Sequence, residues 1–411
     1  MRAALIFLSS LPLFCNQEPA LNVNSRYTVE SIELSARAES KLSGSVKTEI
    51  RKLIGEKFNQ EMVDRVVQRI RRELRGYRVV QTIAKGSKPE NIRVILDVMR
   101  SKRDGEVILP RLVYNSKENF SFGADAAWQS DGHRFSFGIL SDNDQRIERY
   151  SGIRGGYRRE AADGKFRGGF VVESWRSQWN SATLTALSNH PEVPGIYRTR
   201  LNVQPEMSLE VLRGVTVGAG VSVQRFQTQF PAARNENSHA VITSLRLGHG
   251  WEQSNSGRHL VEAGYALRAA TRALGSDFAY ARHAFDARYR YHIGNDTVMA
   301  AFVGGYLSGR APLFDRFLLG NSVTLRGYNK YDVAPVGGSR MVHGSLDYRH
   351  SWARVVYDTG VIYDRSGEQK VRHSLAAGFT TGHRGDSLSL LIAFPLKEGR
   401  MEPIFILGMN F

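Results

Sequence analysis

The stretch Val215-Thr216-Val217-Gly218-Ala219-Gly220-Val221-Ser222-Val223-Gln224 decides the fold class. Alternate positions carry Val, Val, Ala, Val and Val, and those between carry Thr, Gly, Gly, Ser and Gln. This is the period-two pattern of a strand with one apolar face. A strand in the wall of a membrane barrel needs it, with apolar side chains toward lipid and polar or small ones toward a wet lumen. Met341 to Trp352 repeats the pattern. Val342, Leu346, Tyr348 and Trp352 share one face, and His343, Ser345, Asp347, Arg349 and Ser351 share the other. A soluble antiparallel sandwich also alternates, so the connections must discriminate.

Working outward, sixteen candidate strands lie near 107–115, 119–129, 132–143, 148–160, 166–179, 198–212, 215–230, 240–253, 258–271, 278–294, 296–309, 340–352, 353–364, 371–383, 386–396 and 402–411. Ser130-Asp131, Arg213-Gly214 and Asn295 are tight connections, whereas 180–197, 231–239, 310–339 and 365–370 are longer. Outer-membrane barrels alternate short periplasmic turns with long exterior loops, and an even strand count returns both chain ends to one side. The expectation is a transmembrane antiparallel β-barrel of about sixteen strands over residues 107–411. Pro110 makes the first strand the least regular, since proline belongs on an edge or at a strand end.

Composition permits this reading. The 411 residues have a mean hydropathy of −0.33. Beyond the N-terminus no stretch has the ~18 continuous apolar residues of a spanning helix. Membrane insertion must then use strands in a closed barrel. The net charge of +16 is spread along the chain, with short knots only at Arg69-Ile70-Arg71-Arg72 and Tyr157-Arg158-Arg159. That spread argues against a nucleic-acid footprint; a solvated lumen and loops facing anionic lipid are the expected homes for the charge. Met1-Arg2 and the apolar run from Ala3 to Phe14 read as a signal peptide, with residues 1–20 assigned to it. Phe14 stands before Cys15 where a lipoprotein signal has a small residue, and no clean A-x-A site is visible. With cleavage at or after Cys15 the mature chain has no thiol, which excludes disulfides and thiol catalysis.

Residues 25–102 read differently, as a small α/β unit. Val29, Ile32 and Leu34 mark a strand, and a helical stretch from Val46 to Ile54 stops at Gly55. Asn59 is a candidate N-cap for a second helix with Val63, Val66, Val67, Ile70 and Leu74 at helical spacing and Gly76 as its stop. Two alternating strands follow, at Tyr77–Gln81 and Ile92–Met99, with the Ile92 strand taken as the accessible edge. The order is strand, helix, helix, strand, strand.

The segment Phe314-Asp315-Arg316-Phe317-Leu318-Leu319-Gly320-Asn321-Ser322-Val323-Thr324-Leu325-Arg326-Gly327-Tyr328 resembles the signature loop of the BamA/TamA superfamily of outer-membrane assembly and secretion barrels. Gly337-Gly338 resembles the Gly-Gly pair that follows it, and Val355 to Gly360 resembles the family's "F-x-D-x-G" strand. His373 to Phe379 resembles the next strand, and Ile404 to Phe411 the terminal strand, in which Phe405 and Phe411 look like the insertion signal. The 25–102 unit is similar to a POTRA domain, placed by that resemblance in the periplasm. A single such unit, and Tyr328 where Phe is commoner, are the departures.

The resemblance implies that loop 310–339 folds into the barrel and that Arg326 pairs with lumen-facing carboxylates, Asp358 and Asp347. Asp358 does alternate away from Val355, Tyr357 and Val361. A guanidinium can bond carboxylates bidentately, which Lys cannot match. Gly327 would allow the sharp turn presenting it. The implied function is assembly and insertion of outer-membrane proteins. Client segments would add to the POTRA sheet edge and be handled at the barrel seam. The implied partners are unfolded outer-membrane or secreted proteins and the lipid bilayer, with room for accessory periplasmic or lipoprotein partners. A dedicated two-partner-type secretion pore and a passive diffusion channel are the alternatives. No G-x-S-x-G, H-E-x-x-H, Walker loop or G-x-G-x-x-G is present, so neither an enzyme nor a cofactor is expected. A barrel-embedded Ser–His hydrolase is the remaining class that spacing cannot address.

Overall fold

The Val215–Thr228 strand (β10) does lie in a barrel wall. It pairs antiparallel with β9 (Tyr197–Leu212) on one side and β12 (Ala240–Gln253) on the other. The computed structural model describes residues 26–34, 42–74, 77–100, 104–130, 132–161, 164–190, 193–253, 257–364, 369–383, 386–397, 399 and 402–409. They fall into two units divided between residues 103 and 104. The signal segment, Cys15, Gly76 and Phe411 lie outside the described residues.

The first unit has a three-stranded sheet of β1 (Thr28–Leu34), β2 (Tyr77–Lys85) and β3 (Asn91–Arg100). Its helices are α1 (Gly44–Lys52) and α2 (Gln60–Glu73). The Asn59 side chain accepts from the N–H groups of Glu61 and Met62, which caps α2. The apolar stripe Val63, Val66, Val67 and Ile70 is buried against Val46, Ile50, Val79, Val94 and Leu96. Sheet order is β1-β3-β2, parallel then antiparallel. Ile92 is therefore buried on the central strand and is not at an edge; the last strand inserts between the other two. The open edge nearest in sequence is β2, where Ile83 is 42 % exposed.

The second unit is a closed antiparallel barrel of sixteen wall strands, from β4 (Asp104–Asn115) to β20 (Ile404–Met409). The short β11 (Arg234–Asn237) pairs with the far end of β10 and continues the line of β12, so the two make one wall strand broken at Ser238-His239. The outer face shows why the alternation exists. Val217, Val221 and Val223, their neighbours Val241 and Leu245, and Phe135, Phe137, Ile139 and Ile153 are all exposed to the outside. So large an apolar belt has a physical rationale only in hydrocarbon. Toward the tight-turn end, aromatic pairs ring it, among them Trp128–Phe135 and Trp352–Phe379, with centroids 5.7 and 5.1 Å apart.

Closure is uneven. In the first strand the register with β5 (Asn119–Ser130) shifts between Ile108 and Arg111, where Pro110 cannot donate to the ladder. Among the described residues β4 pairs with β20 through four residues only, Leu112 to Asn115 with Met409 to Ile406. By contrast β14 (Ala279–Ile293) and β15 (Asp296–Arg310) pair along fifteen.

The face assignment predicts opposite outcomes for two adjacent residues of β12. Leu245→Arg, on the lipid face, should cost about 2–4 kcal/mol near the bilayer midplane, whereas Ser244→Arg, on the lumen face, should cost about 1 kcal/mol or less. Urea unfolding of the protein in lipid vesicles measures both.

Candidate functional site

Between β15 and β16 (Arg340–His350) the chain runs for 29 residues, 311–339, and enters the lumen. Its first contacts are apolar. Leu313, Phe317, Leu319, Leu325 and Val336 are buried against wall and loop residues that include Tyr197, Phe226, Leu307, Met341 and Ile362. Full burial of such a side chain contributes about 1.5–3 kcal/mol each, so the apolar set outweighs any single polar contact in holding the loop. Phe317 also exchanges backbone hydrogen bonds with Gly338, which closes the loop's stem.

At the tip, Arg326 Nη1 donates to Asp358 on β17 (Ala353–Tyr363) at 2.6 and 2.8 Å, and its backbone N–H donates to the same carboxylate at 3.2 Å. Both partners are buried. Ser345 lies at 3.5 Å, and His343 Nε2 stands 3.5 Å from Asp358 while accepting from the Leu325 N–H. The expected second pairing is not made. Asp347 instead takes Arg354 of β17 at 2.8 Å, with Arg349 at 3.5 Å. The reason is reach: Asp347 shares the lumen face with Ser345 but lies two residues further along β16, roughly 7 Å by strand geometry.

The tip's conformation also departs from expectation. Gly327 does not have positive φ; Leu325 does, at 48°. Leu325 is buried and held by its His343 contact, which offsets the αL cost of roughly 1–2 kcal/mol. Glycine at 327 answers close approach, since a Cβ there would sit 2.5–2.6 Å from the backbone of Phe394 and Pro395 on β19 (Asp386–Leu396). Gly320 and Gly337 are the loop positions where backbone conformation favours glycine, with φ 96° and 66°. Tyr328 packs half-buried on the apolar cluster, and Gly360 lies under the methyl groups of Leu319. Gly337 and Gly338 sit at the stem against Phe317 and Ile362. Phe405 is on β20, 45 % exposed toward lipid, with its carbonyl accepting from Ser116.

A second anchor had no sequence signal. Beyond the tip, the short helix Lys330–Val333 places Lys330 fully buried, donating to the carbonyls of Asn143 and of Arg146, the latter at 2.7 Å. Its ammonium stands 3.2 Å from Glu118, in the turn after β4. Ser322 donates through N–H and hydroxyl to Asp144 at 2.8 Å each, and Asn115 of β4 reaches the Ser322 hydroxyl at 3.5 Å. Arg111 of β4 pairs with both Asp142 and Asp144. These partners come from β4 and from connections between 178 and 212 residues away in the chain, with no shared period. The loop is thus tied on one side to β4 and its neighbours, and on the other to β16, β17 and β19. It spans the inside of the short seam.

Burial pushes the Glu118 carboxyl from its ordinary 4.5 up to about 8, with Asp144 adding to the rise and Lys330 opposing it.

Residues 216–364 match the Omp85 superfamily domain. The outer membrane protein assembly factor BamA of Nitratidesulfovibrio vulgaris is 29% identical over 111 residues, a match covering 22% of this chain and 14% of that relative's length. The structure of BamA from Haemophilus ducreyi lacking POTRA domains 1–3 superposes with a TM-score of 0.62 at 14% identity, covering 93% of this chain and 84% of that one. CdiB from Acinetobacter baumannii superposes at 0.61 and 12% identity, covering 94% and 74%. These superpositions establish a shared fold. A sixteen-strand barrel of this kind belongs in a bacterial outer membrane.

Two outcomes follow from the anchors. Arg326→Ala should lower barrel stability by about 3–5 kcal/mol, because Asp358 is left buried and unpaired, and should open the loop to protease. Asp347→Asn should destabilise through Arg354 while the loop stays protected. Heat-modifiable gel mobility and limited proteolysis read the two effects separately. For Glu118, a raised folded-state pKa means the stabilising contribution is present below pH 4.5 and lost as pH rises through about 8. Wild-type thermal stability should therefore fall between pH 5 and 9 in thermal scans, and Glu118→Gln should flatten that slope.

Proposed function

We propose that this chain, whose residues 216–364 match the Omp85 superfamily domain, is an outer-membrane protein assembly and insertion factor of that superfamily. On this reading the β-α-α-β-β unit is a POTRA domain in the periplasm, and it captures extended client segments along the open edge of β2. Strand addition suits that edge, since main-chain hydrogen bonds give affinity without demanding one client sequence. The barrel then presents its seam to the client.

The seam carries the proposal. Cross-strand pairs contribute roughly 0.2–1 kcal/mol each, so the four pairs between β4 and β20 among the described residues hold far less than the fifteen between β14 and β15. Pro110 and the register shift beside it break the β4–β5 ladder between Ile108 and Arg111, next to the residues that meet β20. A client strand could pair there in the membrane, where an open edge has no other way to satisfy its backbone. Arg326–Asp358 and Lys330–Glu118 would keep the resting seam aligned from within. Folding of the client supplies the driving force, so no nucleotide is required.

A photo-crosslinking residue at Ile83 and another at Phe405, tested in intact cells, should capture many unfinished barrel precursors. Capture of one secreted protein alone would move the assignment to a dedicated export pore. No protein adduct at either site, with insertion normal, would leave a passive channel.

A further inference from the structure

A second feature of the lumen lies away from the loop, on β7 (Arg149–Glu160), β8 (Phe166–Gln178), β9, β10 and β12. The strand register sets their lumen-facing residues in adjacent rows. Arg158 stands beside Gly169, Gly169 beside Glu206, and Glu206 beside Gly220. In the next row Arg167 stands beside Ser208, Ser208 beside Gly218, and Gly218 beside Ser244, while Thr216 faces Arg246. Gly169 and Gly220 in one row, with Ser208, Gly218 and Ser244 in the other, lack the side chains that would fill the space. A hollow of about 220 Å³ results, with Arg158 and Arg167 at one flank and Arg246 at the other.

The charges in it are unevenly used. Arg167 donates to Glu160 at 3.2 Å. Arg158 and Arg246 make no hydrogen bond or ion pair within the described residues, although acidic groups are available elsewhere in the lumen. Three guanidinium groups line the hollow with one carboxylate, Glu206, which already accepts from Gln204 at 3.4 Å, while Glu160 beside Arg167 and Glu210 beside Thr216 border it. Hydroxyls of Thr216, Ser208 and Ser244 complete a lining rich in donors.

We propose that this hollow is an anion site for a small phosphate-bearing ligand. Guanidinium forks approaching from two flanks suit a tetrahedral oxyanion with several equivalent oxygens better than a planar carboxylate, which one fork satisfies. The volume accepts a phosphate with a short substituent, and Glu206 offers a counter-charge to an ammonium on it. Free phosphate and a phospholipid headgroup share this chemistry. The site rests on the barrel wall alone and is independent of client handling.

The test uses the full-length protein in maltoside micelles, which contain no phosphate. Inorganic phosphate should protect Arg158 and Arg246 from phenylglyoxal with a common midpoint, read by peptide mass spectrometry. Arg288, lumen-facing on β14 opposite Glu262, should not be protected. Calorimetric titration should show phosphate affinity at least tenfold weaker in R158Q/R246Q and unchanged in R288Q. Tighter binding of glycerophosphoethanolamine than of phosphate assigns the headgroup; equal or weaker binding assigns free phosphate. Either result supports a phosphate site. Equal protection of Arg288, unchanged affinity in R158Q/R246Q, or equal competition by acetate overturns it. The protection assay needs no variant, so it decides even if R158Q/R246Q does not fold.

Discussion

Every backbone amide in a sheet embedded in lipid must find its partner within the sheet, because hydrocarbon offers none. That constraint turns sixteen strands into a ring and makes the last pairing different in kind from the others. Fifteen pairings join neighbours in the chain, but β20 and β4 come from its two ends and must meet without a turn to set their register. Among the described residues they meet over four. Elsewhere the sheet supplies its own alignment; at this one junction the alignment has to come from something else.

The lumen loop supplies it. Its apolar residues are packed as a protein core is packed, and its polar contacts divide between the two sides of the junction. Arg326 holds β17 through Asp358, Gly327 lies on β19, and Lys330, Ser322 and Asn321 hold β4 and the connections that follow it. The chemistry of the two anchors differs. The Arg326 pair is a single guanidinium–carboxylate contact sealed from water. The Lys330 cluster crowds three carboxylates, Glu118, Asp142 and Asp144, around two cations, Lys330 and Arg111.

Much of the architecture could be read in the sequence because each wall residue sees only lipid or only lumen. Val215 to Gln224 and Met341 to Trp352 carry that information residue by residue. Pro110 marked the irregular first strand for a stated reason, its missing donor. Asp358 could be placed on the lumen face by alternation, but its partner came from the resemblance. What could not be read depends on contacts between distant segments. Asp347 and Asp358 look equivalent on paper, and only their heights along the wall separate them. Ile92 lies in the last strand of its unit, yet sheet order puts it in the centre. Glu118 and Lys330 are 212 positions apart by subtraction of their numbers, and neither sits in a motif. Leu325, not Gly327, takes the left-handed conformation, because His343 and the surrounding core hold it there.

The separation of those contacts in sequence has a kinetic side. Loop residues 321 and 322 bond to Asp144, and Arg326 bonds to Asp358, so the loop must collect partners made early and late in synthesis. Contacts of such long range raise the contact order and slow the search for the native topology. Once the loop has docked on β4, on the turn at Glu118 and on the connection at 143–146, however, strands β16 to β20 have only a short span left to close, and loop-closure entropy falls with that span. The buried loop thus acts in folding as an internal template, on which the ring is completed from the inside.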